Sequence, residues 1–132
     1  DPMHGEDFVT ALLVEDKAWL RELFKPTLVA LGCDVVGEAG THKNAVELFD
    51  HHRPNIVLTN VALAMGSGMD VLRDILAIDN SARVIMLTTH TDDATRETCL
   101  NLGASGFIVK NRPIEEFVET LRSHLSIANA AA

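Results

Sequence analysis

The stretch PNIVLTNVALAMGSGMD (residues 54–70) decides the fold. After Pro54 a short apolar run, Ile56, Val57 and Leu58, closes on polar Thr59 and Asn60 and opens into a Gly/Ser loop. A run of this length, apolar without alternation, suits a strand whose sheet is covered on both faces, and so predicts a buried strand of a parallel sheet. On such a sheet ligands gather outside the C-terminal strand ends. Asn60 stands at that end, an amide where a reactive side chain is expected. The GxG at Gly66 and Gly68 lacks the rest of a dinucleotide fingerprint and reads as a turn.

Outward from this stretch, short apolar runs alternate with amphipathic segments. FVTALLV (8–14), CDVVGEA (33–39), RVIMLTT (83–89) and SGFIVK (105–110) read as the other strands. AWLRELFKPTLVALG (18–32) places Leu20, Leu23, Phe24, Leu28 and Leu31 near helical spacing and stops at Gly32, with Pro26 expected to kink it. Thr41 is placed to cap a helix carrying Ala45, Val46, Leu48 and Phe49. MDVLRDILAI (69–78) is the third helix. Thr91, followed by Asp92 and Asp93, opens a fourth that Gly103 stops. Pro113 starts a fifth, with Ile114, Phe117, Val118, Leu121 and Leu125 on its apolar side. The order is strand then helix, five times, which predicts an α/β doubly wound five-stranded parallel sheet. The domain is expected over residues 8–127. Residues 1–7 read as an N-terminal extension or expression remnant, and residues 128–132 as a C-terminal tail.

Composition narrows the function. The 132 residues are 47% hydrophobic, enough for one real core. Eleven basic against nineteen acidic residues give a formal charge of -8, which repels phosphate backbones and argues against direct nucleic-acid binding. One Trp and no Tyr leave no stacking platform for bases. Cys33 and Cys99 form no CxxC and no disulfide framework, as expected of a reduced, cytoplasmic protein. No apolar run approaches ~18 residues, so no membrane span is expected.

The strand ends carry the chemistry. They offer Glu15 and Asp16 after the first strand, Asn60 after the third, Thr88 and Thr89 after the fourth, and Lys110 after the fifth. Paired carboxylates with an oxygen ligand opposite suit a hard divalent cation such as Mg²⁺. A Lys and a hydroxyl suit phosphoryl oxygens. VEDKAW (14–19) puts two negative charges where a flavin or nucleotide site needs a phosphate loop. A hydrolase of haloacid-dehalogenase type needs an Asp nucleophile at that first strand end with a second Asp two residues on, and neither is present.

The chain resembles the response-regulator receiver domains of bacterial two-component signalling, chemotaxis-regulator-like in extent, with their flavodoxin-like receiver fold. The resemblance rests on LLVEDKAWLRELF, PNIVLTNVALAMGSGMDVL, VIMLTTH and LGASGFIVKNRPIEEF, and spans roughly residues 8 to 127. It implies that Glu15 and Asp16 hold Mg²⁺ with help from Asn60 and the Ala62 carbonyl. It implies that Thr88 and Lys110 contact a phosphoryl group and that Phe107 is a switch aromatic. It also implies a sensor histidine kinase or phosphotransfer protein as partner, and a downstream protein at the face of the fourth helix, fifth strand and fifth helix, bordered by Arg112. A monomer or weak homodimer is expected.

Asn60 departs from that pattern, because the family carries there the Asp that accepts the phosphoryl group. The family's Asp-to-Gly spacing ends on Gly68 and fixes the register. A neutral amide oxygen is a poor nucleophile, and the loss of one negative charge weakens Mg²⁺ and takes a partner from Lys110. The chain as written is therefore expected not to be an enzyme, but a pseudo-receiver acting by protein contact. An ordinary phospho-accepting receiver whose Asp was engineered to Asn stays open, as does another acceptor carboxylate, for which Asp70 is poorly placed. His51 and His52, adjacent on a helix, are expected to splay apart and not to converge on a metal. His90 reads as a loop residue at the site's mouth. Trp19 reads as a packing residue beside the acidic pair, and Cys99 as packing within a helix.

Overall fold

A computed structural model of the chain describes residues 9–89, 93–110 and 113–131. Strands β1 (Val9–Val14), β2 (Cys33–Ala39), β3 (Ile56–Asn60), β4 (Arg83–Thr88) and β5 (Gly106–Val109) alternate with helices α1 (Ala18–Ala30), α2 (His42–His52), α3 (Gly68–Ile78), α4 (Asp93–Asn101) and α5 (Ile114–Ala131). All neighbouring strands are parallel, in the order β2-β1-β3-β4-β5. The chain moves outward from β1 to β2 and then crosses to β3, so the topological switch lies between β1 and β3. That is where Glu15 and Asn60 stand.

Alternation along the strands divides the core. Ala11, Leu13, Ile56, Leu58, Ile85, Leu87 and Ile108 face α1 and α5, where they meet Phe24, Leu28, Phe117, Leu121 and Leu125. Leu12, Val14, Val57, Val84 and Met86 face the other side, with Phe49, Val71, Leu72, Ile75 and Cys99. Each large apolar side chain fully buried this way contributes about 1.5–3 kcal/mol. Phe24 and Phe117 stack at 5.2 Å and tie α1 to α5.

Local chemistry sets the helix ends. Thr41 accepts a hydrogen bond from the Asn44 N–H at 3.2 Å, and Ser67 one from the Met69 N–H at 3.1 Å. α4 ends before Gly103, whose φ of +109° favours glycine.

α1 contains Pro26, which is exposed, as is Glu22, whose carbonyl loses the usual donor. Some expectations are corrected. Leu23 and Trp19, read as packing residues, are 61% and 66% exposed. Residues 128–131, read as tail, prolong α5. The His51 and His52 rings, expected to splay, meet edge to face with centroids 4.6 Å apart. Phe8, His90, Thr91 and Arg112 lie outside the described residues. Cys99 is buried in the core as expected. Burial pushes the Cys33 thiol up to about 11.

Candidate functional site: a receiver-type acidic pocket

Register brings the site together. Val14 lies opposite Thr59, so Glu15 and Asn60 are the next pair at the same level. Asn60 lies opposite Leu87, and Thr88 opposite Val109, so Thr88 and Lys110 continue the row on the next strands. The Lys110 N–H donates to the Thr88 carbonyl at 2.6 Å. Thr88, Asn60 and Glu15 are buried. Phe107 is half-buried, opposite Met86, against the core on the α2, α3 and α4 side.

Glu15 is held from four directions. Its N–H donates to the Ala39 carbonyl at 2.9 Å, and its own carbonyl accepts from Arg21 Nη1. Oε2 accepts from the Lys17 N–H at 3.1 Å. Oε1 pairs with Lys110 Nζ at 3.1 Å, with Lys110 8% and Glu15 0% exposed at the side chain. The lysine assigned to a phosphoryl oxygen thus rests on a buried carboxylate. Arg21 and the Lys17 N–H went unread in the sequence, because α1's first turn supplies them through its path and not through a motif.

Asp16 completes the acidic pair. Burial opposes its ionisation, but hydrogen bonding with the Glu15 carboxyl and with backbone N–H groups of Asp16 and Ala64, together with the Lys17 charge, outweighs it. The carboxyl is held below its ordinary value. Asp16 Oδ1 is buried and has no hydrogen-bond partner. An orphaned acidic oxygen beside a second carboxylate is a donor set that fits a hard cation.

The loop side of the pocket is different. Asn60 Nδ2 donates to the Ala62 carbonyl at 3.0 Å. The amide therefore occupies the very oxygen that the resemblance assigns to the cation. Among the described residues, no group of three or more His, Cys, Asp or Glu side chains could hold a metal. The residues thus fit a cation on the Glu15 and Asp16 side, while the loop oxygen is engaged by an N–H donor.

The loop itself is built tightly. The Gly68 N–H donates to the Val61 carbonyl at 2.8 Å, and Ala62 and Ser67 form an isolated antiparallel bridge. Gly66 has φ +95°, and a Cβ there would meet His42 Cβ at 2.5 Å. His42 also donates its N–H to the Met65 carbonyl at 3.2 Å and pairs with Asp74 at 2.7 Å, tying the loop to α2 and α3. The sequence reading missed this role for His42, which carries no signal beyond its place after the Thr41 cap.

A doubly wound domain with an acidic pair at the switch point, a hydroxyl and a buried lysine along the same strand ends has the build of a phosphoryl-handling signalling domain. Comparison gives the family: the chain matches the response regulator receiver domain over residues 11–122, and it belongs to that family. It is 31% identical over 115 residues to the chemotaxis protein CheY of Bacillus subtilis, covering 87% of this chain and 96% of that one. It is also 31% identical over 110 residues to CheY of Thermotoga maritima, covering 83% of this chain and 92% of that one. Among solved structures, a two-component response regulator of the LuxR family from an Aurantimonas species superposes with a TM-score of 0.85. That match has 28% identity and covers 90% of this chain and 86% of that one. The domain is thus a receiver domain of two-component response regulators. No described helix is long and apolar enough to cross a membrane.

Proposed function

We propose that this receiver domain is phosphorylation-silent as written and signals by protein contact. The observation that carries the reading is Asn60. It sits buried at the acceptor strand end as an amide, hydrogen-bonded to Ala62, where a carboxylate is needed to attack a phosphorus. The other residues of the proposed site, Glu15, Asp16, Thr88 and Lys110, would then surround an end that carries no nucleophile. The domain therefore catalyses no phosphoryl transfer of its own.

Glu15 and Asp16 would hold Mg²⁺, whose role in such a pocket is to offset the negative charge of phosphoryl oxygens. Asn60 weakens that binding twice over, through the lost charge and through the Nδ2 donor on Ala62. Partners follow the family: a sensor histidine kinase or phosphotransfer protein in the cytoplasm, and a downstream protein on the face of α4, β5 and α5, where Leu100 is 42% exposed. The completeness of the remaining site favours a second history with the same chemistry, an ordinary receiver whose Asp was replaced by Asn.

Trp19, exposed two residues from the Lys17 N–H that caps Glu15, makes the cation readable by fluorescence. Asn60→Asp should bind Mg²⁺ roughly tenfold or more tightly than the unmodified chain, since one more charge within about 4 Å of the ion outweighs the ~1.4 kcal/mol that a factor of ten represents. Equal affinities in the two proteins would count against the role given to Asn60.

A further inference from the structure

The apolar stripe of α5 contains one ionisable residue. Phe117, Leu121 and Leu125 are buried against the sheet, and His124 falls between the last two on the same face. Its ring lies on Gly106 of β5. A Cβ at Gly106 would meet His124 Cε1 at 2.3 Å and Nε2 at 2.4 Å, so the ring occupies the space that only glycine leaves. His124 Nδ1 is buried without a hydrogen-bond partner, and so is Arg83 Nε on β4. Arg83 shares the face of Ile85 and Leu87, which is the face α5 covers.

We propose that the seat of α5 is proton-sensitive: the neutral His124 ring packs on Gly106 beside Arg83, and its protonation loosens the helix from the sheet. Protonation would create a second N–H with nothing to donate to and would set a positive charge beside the guanidinium. Both are costly away from water. Burial first, and then the Arg83 charge, hold the ring below its ordinary value of 6.5. Among the described residues, no carboxylate offsets these two effects. The strands that α5 packs on, β1 and β5, carry no ionisable residue. α1 meets α5 through Phe24 and turns Arg21 and Lys25 toward Glu38, with Glu22 on Lys25. Because α5 belongs to the proposed partner face, acid would weaken partner binding there. That consequence rests on the proposed face, whereas the seat itself does not.

The sign follows from linkage. The docked ring binds a proton less readily than the undocked one, so docking is at full strength above 6.5 and is lost as pH falls from there toward the lower docked value. Amide protection in α5 should therefore fall between about pH 7.5 and about pH 5, by about tenfold for each unit separating docked and undocked rings. His124→Gln should abolish that fall while other elements keep theirs. The ring resonance of the unmodified chain, assigned by its absence in that variant, should titrate below 6.5. Arg83→Gln should move it upward. A ring titrating at or above the ordinary value, or α5 protection with the same pH profile in His124→Gln, would overturn the proposal. Both readouts use the chain alone, so failure of the proposed partner face leaves them interpretable.

Discussion

Gly68→Ala should destabilise the domain by about 3 kcal/mol, the upper end for overpacking. An added Cβ would lie 1.9 Å from the Asn60 carbonyl oxygen, 2.8 Å from its carbon and 2.9 Å from Val61 Cα. All three are backbone atoms, so no rotamer change relieves the contact. The Gly68 N–H to Val61 bond and the Ala62–Ser67 bridge would have to open together. These fix the loop that carries Ala62, so the lesion also displaces the loop side of the pocket. Chemical denaturation with unchanged slope would read the loss. A change within ~0.5 kcal/mol, as at an ordinary surface position, would show that the loop is not seated as described.

Lys110→Met should cost about 3–5 kcal/mol, the range for removing one partner of a buried ion pair. The loss comes less from the attraction removed than from Glu15, left as a buried carboxylate without its ammonium partner, with the Lys17 N–H on Oε2. Two controls separate this from lost packing. Glu15→Gln on the Lys110→Met background should recover much of the loss, since the uncompensated charge is gone. Mg²⁺ should also recover part of it, because a cation at Glu15 and Asp16 replaces the missing ammonium. If the double variant is no more stable than Lys110→Met alone, the pair is not the source of the cost.

The sequence reading and the structure agree most where periodicity and strand-end position carry the signal. Ile56, Val57 and Leu58 read as a strand covered on both faces, and all three are buried. The cap at Thr41 and the turn at Gly66 were legible from residue chemistry alone. Family resemblance supplied expectations that spacing could not, such as the roles it implies for Ala62 and Phe107. Misreadings came from treating every apolar helix residue as inward. Leu23 sits on the helical pattern of α1 yet faces outward, one position before the buried Phe24. Contacts between elements distant in sequence stayed invisible. Nothing in SGFIVK announces that Gly106 exists to seat a histidine of α5, nor in HKNAVELF that His42 fastens the loop at Gly66. The Asn60–Ala62 bond is likewise a property of the folded loop. The amide was legible, but not that it would spend its N–H on the Ala62 carbonyl.

The most direct test of the central claim is intact mass after incubation with Mg²⁺ and a small phosphodonor, on this chain and on Asn60→Asp in parallel. The account predicts that this chain gains no phosphoryl group and that Asn60→Asp gains one, since Glu15, Asp16, Thr88 and Lys110 already surround the position. A phosphoryl group on the unmodified chain would contradict the account and require another acceptor. No gain on either protein would contradict the view that a single amide silences an otherwise complete site.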